Sequence, residues 1–323
     1  MMNEISRILL SDTPLAISEN GYRYLLALAY PEAFNRAFTP SVIPTPEGEA
    51  TVPGSFAAGQ HLPAYRALHP APASLASDIN LTTDYAGDNM PDASIAYYPI
   101  IGPILSDSYW RFSTKRFERD LLDAEDNPQI VAHLLHVNSP GGEAYYLDRL
   151  GETMDSLRKP IVAIIEEACS AAYNIACHAQ VIYATTQFDL IGCIGTMVSF
   201  YDYSEFYASM GIKRIEAKAD KSDLKNKTVE DLIDGKPEKF ITSVLNPMNE
   251  AFLSTVRAHR PALAKLKDDH PALRGETFFT DEAINIGLID ARSTLADAAA
   301  EAKRRGLELA NSAQLIQQLY KFE

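Results

Sequence analysis

Hydrophobic and polar positions divide the chain into three regimes. Around residues 21–38, Tyr24, Leu25, Leu28 and Ala29 recur at helical spacing, which predicts a helix. Between Pro40 and Pro72 the apolar runs thin out and seven prolines appear, together with Gly48, Gly54 and Gly59. Proline fixes φ and removes a backbone donor, so this stretch reads as an extended arm or linker. From about Ser94, apolar runs alternate with amphipathic ones. Strands are predicted over 95–101, 130–137, 160–165 and 181–184. Helices are predicted over 113–125, from the 138–142 turn to about 157, and over 170–179. Further helices are expected near 202–210, 228–259, 281–286 and 295–319. Strands alternating with helices predict an α/β fold with a mainly parallel sheet. The expected organisation is a helical segment over 1–38, a Pro-rich arm over 39–93, a main domain over 94–292 and a C-terminal helix over 293–323.

Composition narrows the class. With 323 residues, 46% hydrophobic and 22% charged, the chain has material for a sizeable core, which excludes disordered, collagenous and coiled-coil proteins. A net charge of −14 argues against binding to nucleic acid or an anionic membrane surface. Cys169, Cys177 and Cys193 show neither zinc-finger spacing nor a disulfide framework, as expected in a reducing compartment. No apolar stretch reaches the ~18 residues of a spanning helix. The N-terminus lacks the basic and then apolar segments of a secretory signal. The expectation is a cytoplasmic protein with no membrane anchor.

In a parallel α/β sheet, sites gather at the carboxyl ends of strands. Two such places stand out. The turn Ser139-Pro140-Gly141-Gly142 joins a strand to a predicted helix, and adjacent glycines let backbone N–H groups approach a ligand. An oxyanion hole is one use of that geometry, and a tight turn with a helix cap is the other. Downstream, Ser170 stands where a strand hands over to a helix, within Ala168-Cys169-Ser170-Ala171-Ala172-Tyr173. It is either an exposed nucleophile whose following amides hold an oxyanion or a helix N-cap.

A base for Ser170 is harder to find. His178 lies eight residues on, about 12 Å along a regular helix. His133 and His136 sit three apart on a strand and face opposite ways. Around His259 and His270 no local pattern marks a site. Lys221 is the better candidate. A strand is expected over 211–220, with Ile215, Ala217 and Ala219 on one face, and the same parity puts Lys221 on that apolar face. Desolvation there would favour the neutral amine that a general base has to be. The alternative is an ordinary solvated lysine among Lys213, Lys218, Lys225 and Lys227.

Taken in order, these segments resemble the signal peptide peptidase A (SppA) family of serine proteases. The resemblance runs over residues 94–292. It rests on the strand from Tyr98 to Ile104, the turn Asn138 to Gly142, the Ser170 segment, Ile191-Gly192-Cys193-Ile194-Gly195, the stretch Ile215 to Lys221, and Gly275 to Ala283 leading into Gly287-Leu288-Ile289-Asp290. It implies a ClpP/crotonase-like spiral fold and a Ser-Lys dyad, with Ser170 as nucleophile and Lys221 as general base. Gly141, Gly142 and the amide of Ala171 fall on the oxyanion-hole region. No metal or organic cofactor is implied. The expected partners are a peptide or protein substrate and further copies of the chain in a homo-oligomeric ring.

Three positions depart from the family pattern. Ser170-Ala171-Ala172 replaces Ser-Gly-Gly, and the two methyl groups are expected to narrow a subsite. Cys193 replaces the serine that orients the lysine, offering a weaker hydrogen-bonding group. Lys218 replaces a glycine and is either a rival base or a neighbour that lowers the pKa of Lys221. The absent anchor and the Pro-rich arm point to the soluble phage or prophage branch, whose members mature capsids. Two other readings stay open: an assembly or scaffold subunit of the same fold whose catalysis has decayed, and a crotonase-type acyl-CoA enzyme.

Overall fold

The computed structural model describes residues 90–108 and 111–319, together with the strands 15–17, 66–69 and 80–82; side chains are described for 90–108 and 111–313. The helix expected over 21–38 and most of the Pro-rich arm lie outside the described residues. In chain order the strands are β1 (Leu15–Ile17), β2 (Arg66–His69), β3 (Asn80–Thr82), β4 (Ser94–Ile101), β5 (Ile130–Ser139) and β6 (Gly141–Glu143). They continue with β7 (Ile161–Cys169), β8 (Val181–Ala184), β9 (Leu190–Gly192), β10 (Thr277–Phe278) and β11 (Ala291–Arg292). The principal helices are α1 (Thr114–Asp126), α2 (Leu147–Ser156), α3 (Ala171–Ala176) and α4 (Ser204–Ser209). After them come α5 (Lys227–Ile233), α6 (Asn246–His259), α7 (Thr280–Ile286) and α8 (Leu295–Leu319).

The heart of the sheet is parallel: β4 pairs with β5, β5 with β7, and β7 with both β8 and β9. Antiparallel strands occur at its margins, β2 and β3 beyond β4 and β10 beyond β9. The predicted mixed α/β fold with a mainly parallel sheet is the one observed. Both faces of the central strands are covered, as parallel sheets require. Ile95, Leu134, Val162 and Ile164 pack under Ala298, Ala299 and Ala302 of α8. On the opposite face Tyr98, Ile100, Leu135, Val137 and Ile165 join Phe117 and Leu121 of α1 and Leu150 of α2. Ser113 caps α1, its hydroxyl accepting the Arg116 N–H.

Two expectations are corrected. The Gly141–Gly142 turn does not open a helix: it begins the short strand β6, and α2 starts five residues after Gly142, at Leu147. Consequently the N-terminus of α2 does not lie at these glycines. Nor is there a strand over 211–220. That stretch is irregular up to a 3₁₀ turn at Asp220–Ser222, and Ile215 is 91% exposed. Alternation fixes which residues share a face, but a strand exists only where another strand supplies backbone partners.

Candidate active site

The ends of β5 and β7 emerge side by side, with Ser139 opposite Ala168 in their register. This juxtaposition brings β6 and α3 together, and the two elements pack against one another. Ser170 occupies the turn between β7 and α3 at φ 56° and ψ −120°, a left-handed backbone rare for a residue with a side chain. Such conformations cost ~1–3 kcal/mol and persist where surrounding structure enforces them. Here the Ser170 N–H is held by the Gly192 carbonyl at 2.8 Å, and the Ser170 carbonyl accepts from Asn174 at 2.9 Å. The residue stands at the N-cap position, yet its side chain makes no capping bond. Its hydroxyl instead faces the Gly195 carbonyl at 3.4 Å, a distance too long for a strong bond. A cap role for this hydroxyl is thereby excluded in this structure.

Tyr173, buried completely, anchors α3 by donating to the Leu288 carbonyl at 2.8 Å. Asp290, two residues further on, accepts both Arg260 guanidinium nitrogens at 2.9 and 3.1 Å and the Ile182 N–H at 2.8 Å. The Gly287–Asp290 segment thus holds α3 and β8 in place. Ala171 and Ala172 are wholly buried. Their methyl groups fill the core beneath α3 and do not line an open subsite, which corrects the expectation of a narrowed pocket. The backbone N–H groups in the first turn of a helix have no intrahelical acceptor, which leaves the Ala171 amide available to a ligand.

Gly142 has no room for a side chain, since a Cβ there would lie 2.0 Å from the Ile104 carbonyl oxygen. That close approach lets Ile104 bind both flanking residues: its N–H donates to the Gly141 carbonyl, and its carbonyl accepts from Glu143, each at 2.9 Å. The Gly141 N–H points to Ser139 Oγ at 3.2 Å. On its other side β6 pairs antiparallel with β1, with Ile17 opposite Gly141 and Ala16 opposite Gly142.

Cys193 also adopts a positive φ, 51°, and its N–H donates to the Glu276 carbonyl at 2.9 Å. Burial, and secondarily the Glu167 carboxylate, push its thiol up. Glu167, three residues before Ser170, is itself raised by burial. Sequence inspection assigned no role to Glu167 or to Gly195, the latter noted only as part of a motif. The only signal for Glu167 was proximity to a motif already noted.

Among the described residues Lys221 makes no hydrogen bond to Ser170. It is exposed on the 3₁₀ turn, and neither an ion pair nor a hydrogen bond ties it to another described residue. The expected burial on an apolar strand face is corrected with the strand itself. Lys218 is not a free amine either: it contacts Glu230 and pairs with Glu216 at 3.2 Å. The Glu230 hydrogen bond raises its pKa and keeps it charged, which removes it as a rival base. His133 and His136 take opposite faces of β5 as predicted, His133 bonding Tyr98 and Glu125 and His136 bonding Tyr97 and Glu166.

In this α/β protein a serine in a strained strand-to-helix turn thus stands beside the amides of a short strand and of a helix start. Over residues 154–309 the chain matches Peptidase family S49. It is 27% identical over 196 residues to a protein from Methanocaldococcus jannaschii named as a protease, across 57% of this chain and 59% of the other. It is also 23% identical over 195 residues to a protein from Enterococcus faecium named as signal peptide peptidase SppA, across 56% and 52%. The chain spans little more than half the length of these curated relatives. Among solved structures it is similar to a membrane-bound stomatin-specific protease with a substrate peptide, at 15% identity and TM-score 0.38 over 61% of this chain and 74% of that one. An enoyl-CoA hydratase from Mycobacterium marinum gives 12% identity and TM-score 0.39 over 71% and 95%. At these TM-scores the likenesses add nothing to the sheet topology. Among the described residues no helix is long and apolar enough to cross a membrane.

Proposed function

We propose that the protein is a serine endopeptidase in which Ser170 attacks the scissile carbonyl and Lys221, supplied by a neighbouring copy, is the general base. The observation that carries this reading is the enforced left-handed backbone of Ser170, with a hydroxyl that caps nothing. An extended peptide would pair along β6, the edge already taken by β1 of the same chain. The developing oxyanion would be held by the Ala171 amide with those of Gly141 and Gly142, the Gly141 N–H leaving Ser139 Oγ to do so.

Within one chain Lys221 is exposed and makes no hydrogen bond to Ser170 among the described residues. Every residue from 195 to 239 is exposed or half-buried, including the apolar side chains of Ile215, Leu224, Phe206 and Met210. In a homo-oligomeric ring a second copy would cover this surface, desolvate the amine and favour its neutral form. The proton of Ser170 then passes to Lys221, which hands it to the departing peptide amine as the acyl-enzyme forms; the lysine, neutral again, takes a proton from the attacking water and returns it to Ser170 Oγ as the acid is released.

The exposed Lys221 also supports a second reading, an assembly subunit of the same fold without catalysis. Intact-mass detection of fluorophosphonate labelling on the assembled protein separates the two. The peptidase reading expects labelling that disappears in Ser170→Ala and falls steeply in Lys221→Ala. An assembled wild type that takes no label between pH 6 and 10 establishes the scaffold reading instead.

A further inference from the structure

Three polar side chains unconnected with Ser170 meet at the far end of α3. His178 follows the last turn of that helix, Asp155 lies in the last turn of α2, and His259 is the final residue of α6. Both imidazoles converge on one carboxylate oxygen: His178 Nδ1 is 2.7 Å and His259 Nε2 is 3.1 Å from Asp155 Oδ1. The two rings stand 4.1 Å apart between centroids, and one ligand atom from each of the three residues lies within 4.8 Å of the others. Among the described residues Asp155 forms no ion pair with lysine or arginine. We propose that Asp155, His178 and His259 form a binding site for a divalent zinc-class ion that clamps α2 and α6 onto the end of the nucleophile helix.

The surroundings fit this use. Gly151 lies one turn before Asp155 on the same face of α2, and a Cβ built there would fall 3.2 Å from the His178 ring. The glycine therefore makes the space in which that imidazole sits. His178 is 3% exposed, His259 24% and Asp155 50%, so the set is anchored on one side and open to water on the other. Two imidazoles and one carboxylate match the borderline preference of zinc over the all-oxygen sites of calcium and magnesium or the thiolate sites of softer ions. Ligand bonds of ~2.0–2.2 Å place such atoms ~3.4 Å apart around a tetrahedral ion. Opening the present contacts that far requires less than an ångström at residues near helix ends. A water would complete the sphere from the exposed side. The ion has no part in the Ser170 chemistry.

The test uses the full chain, stripped with a chelator and titrated separately with Zn(II) and Co(II). Expected are one bound zinc per chain, visible Co(II) absorption typical of low coordination number, and a melting temperature raised by ~5 °C at saturating zinc. Asp155→Asn and His259→Ala, both at partly exposed positions, should each weaken binding roughly tenfold or more and abolish the Co(II) bands while the far-UV spectrum stays native. Absence of stoichiometric zinc uptake by the wild type overturns the proposal. So does uptake undiminished in the double variant, which would place the metal on other residues. Because the readouts are binding and melting, the result does not depend on peptidase activity.

Discussion

Ser170 and Lys221, the two residues proposed to share one reaction, sit in regions built on different terms. Ser170 is 1% exposed and fixed by backbone bonds to Gly192 and Asn174, by the Tyr173 anchor and by the packing of α3 on β6. The segment around Lys221 has settled only its charges, through Arg214, Glu216, Lys218 and Glu230 on one side and Lys227 with Asp231 on the other. Surface pairs of that kind contribute little, typically 0–1 kcal/mol. Its apolar side chains remain in water. One half of the machinery is therefore specified within the chain, whereas the other carries a surface that only a further contact would bury.

The sharpest break of this contrast is complementation. Ser170→Ala and Lys221→Ala should each lack activity alone, by a factor of ~10³ or more. Mixed before assembly, they should regain roughly one working site in four, because a random ring pairs an intact serine with an intact neighbouring lysine at that frequency. Peptidase assays across mixing ratios decide it, and no recovery at any ratio would put the dyad within one chain or remove it. A paired substitution tests rigidity next. Gly142→Ala should destabilise by ~3 kcal/mol or more in urea unfolding, given the Ile104 backbone in its way. By contrast, Ile215→Lys should change the stability of the isolated chain by no more than ~0.5 kcal/mol while shifting its assembly in sedimentation.

Acid should act on the rigid half more gradually. Burial alone would raise Glu125, but the hydrogen bond from His133 and the N–H groups of Arg158 and Lys159 outweigh it and bring it down to about 2. Its folded value lies below the ordinary 4.5, so its contribution is complete above that pH. The contribution drains away as pH falls from about 4.5 toward about 2. Urea midpoints measured over that range should decline, and Glu125→Gln should flatten the decline.

What was legible in the sequence follows from how locally each feature is encoded. Continuous apolar runs mark β4, β5 and β7, since strands buried on both faces need no polar alternation. Ser170 at a strand-to-helix junction was legible for the same reason. β6 was read as a turn because three residues with two glycines carry no strand signal; Ile104 and β1 make the strand. β9, β10 and β11 are equally short and exist through their pairing. The apolar alternation around Ile215 is real, but among the described residues no strand pairs with it. His178 and His259, 81 positions apart, looked unremarkable singly and meet only through the packing of α6 near α3.

The pairing of β1 with β6 has a consequence for any peptide that would use the same edge. A strand of the same chain acts at an effective concentration that dilution does not change. A free peptide binding the β6 edge therefore competes with an intramolecular rival, and its apparent affinity is the ratio of the two pairings. Substrates presented at high local density, or fixed within a larger assembly, would overcome that rival far more readily than dilute peptides. Selectivity of this kind comes from how a peptide is presented, before any side-chain pocket has read its sequence.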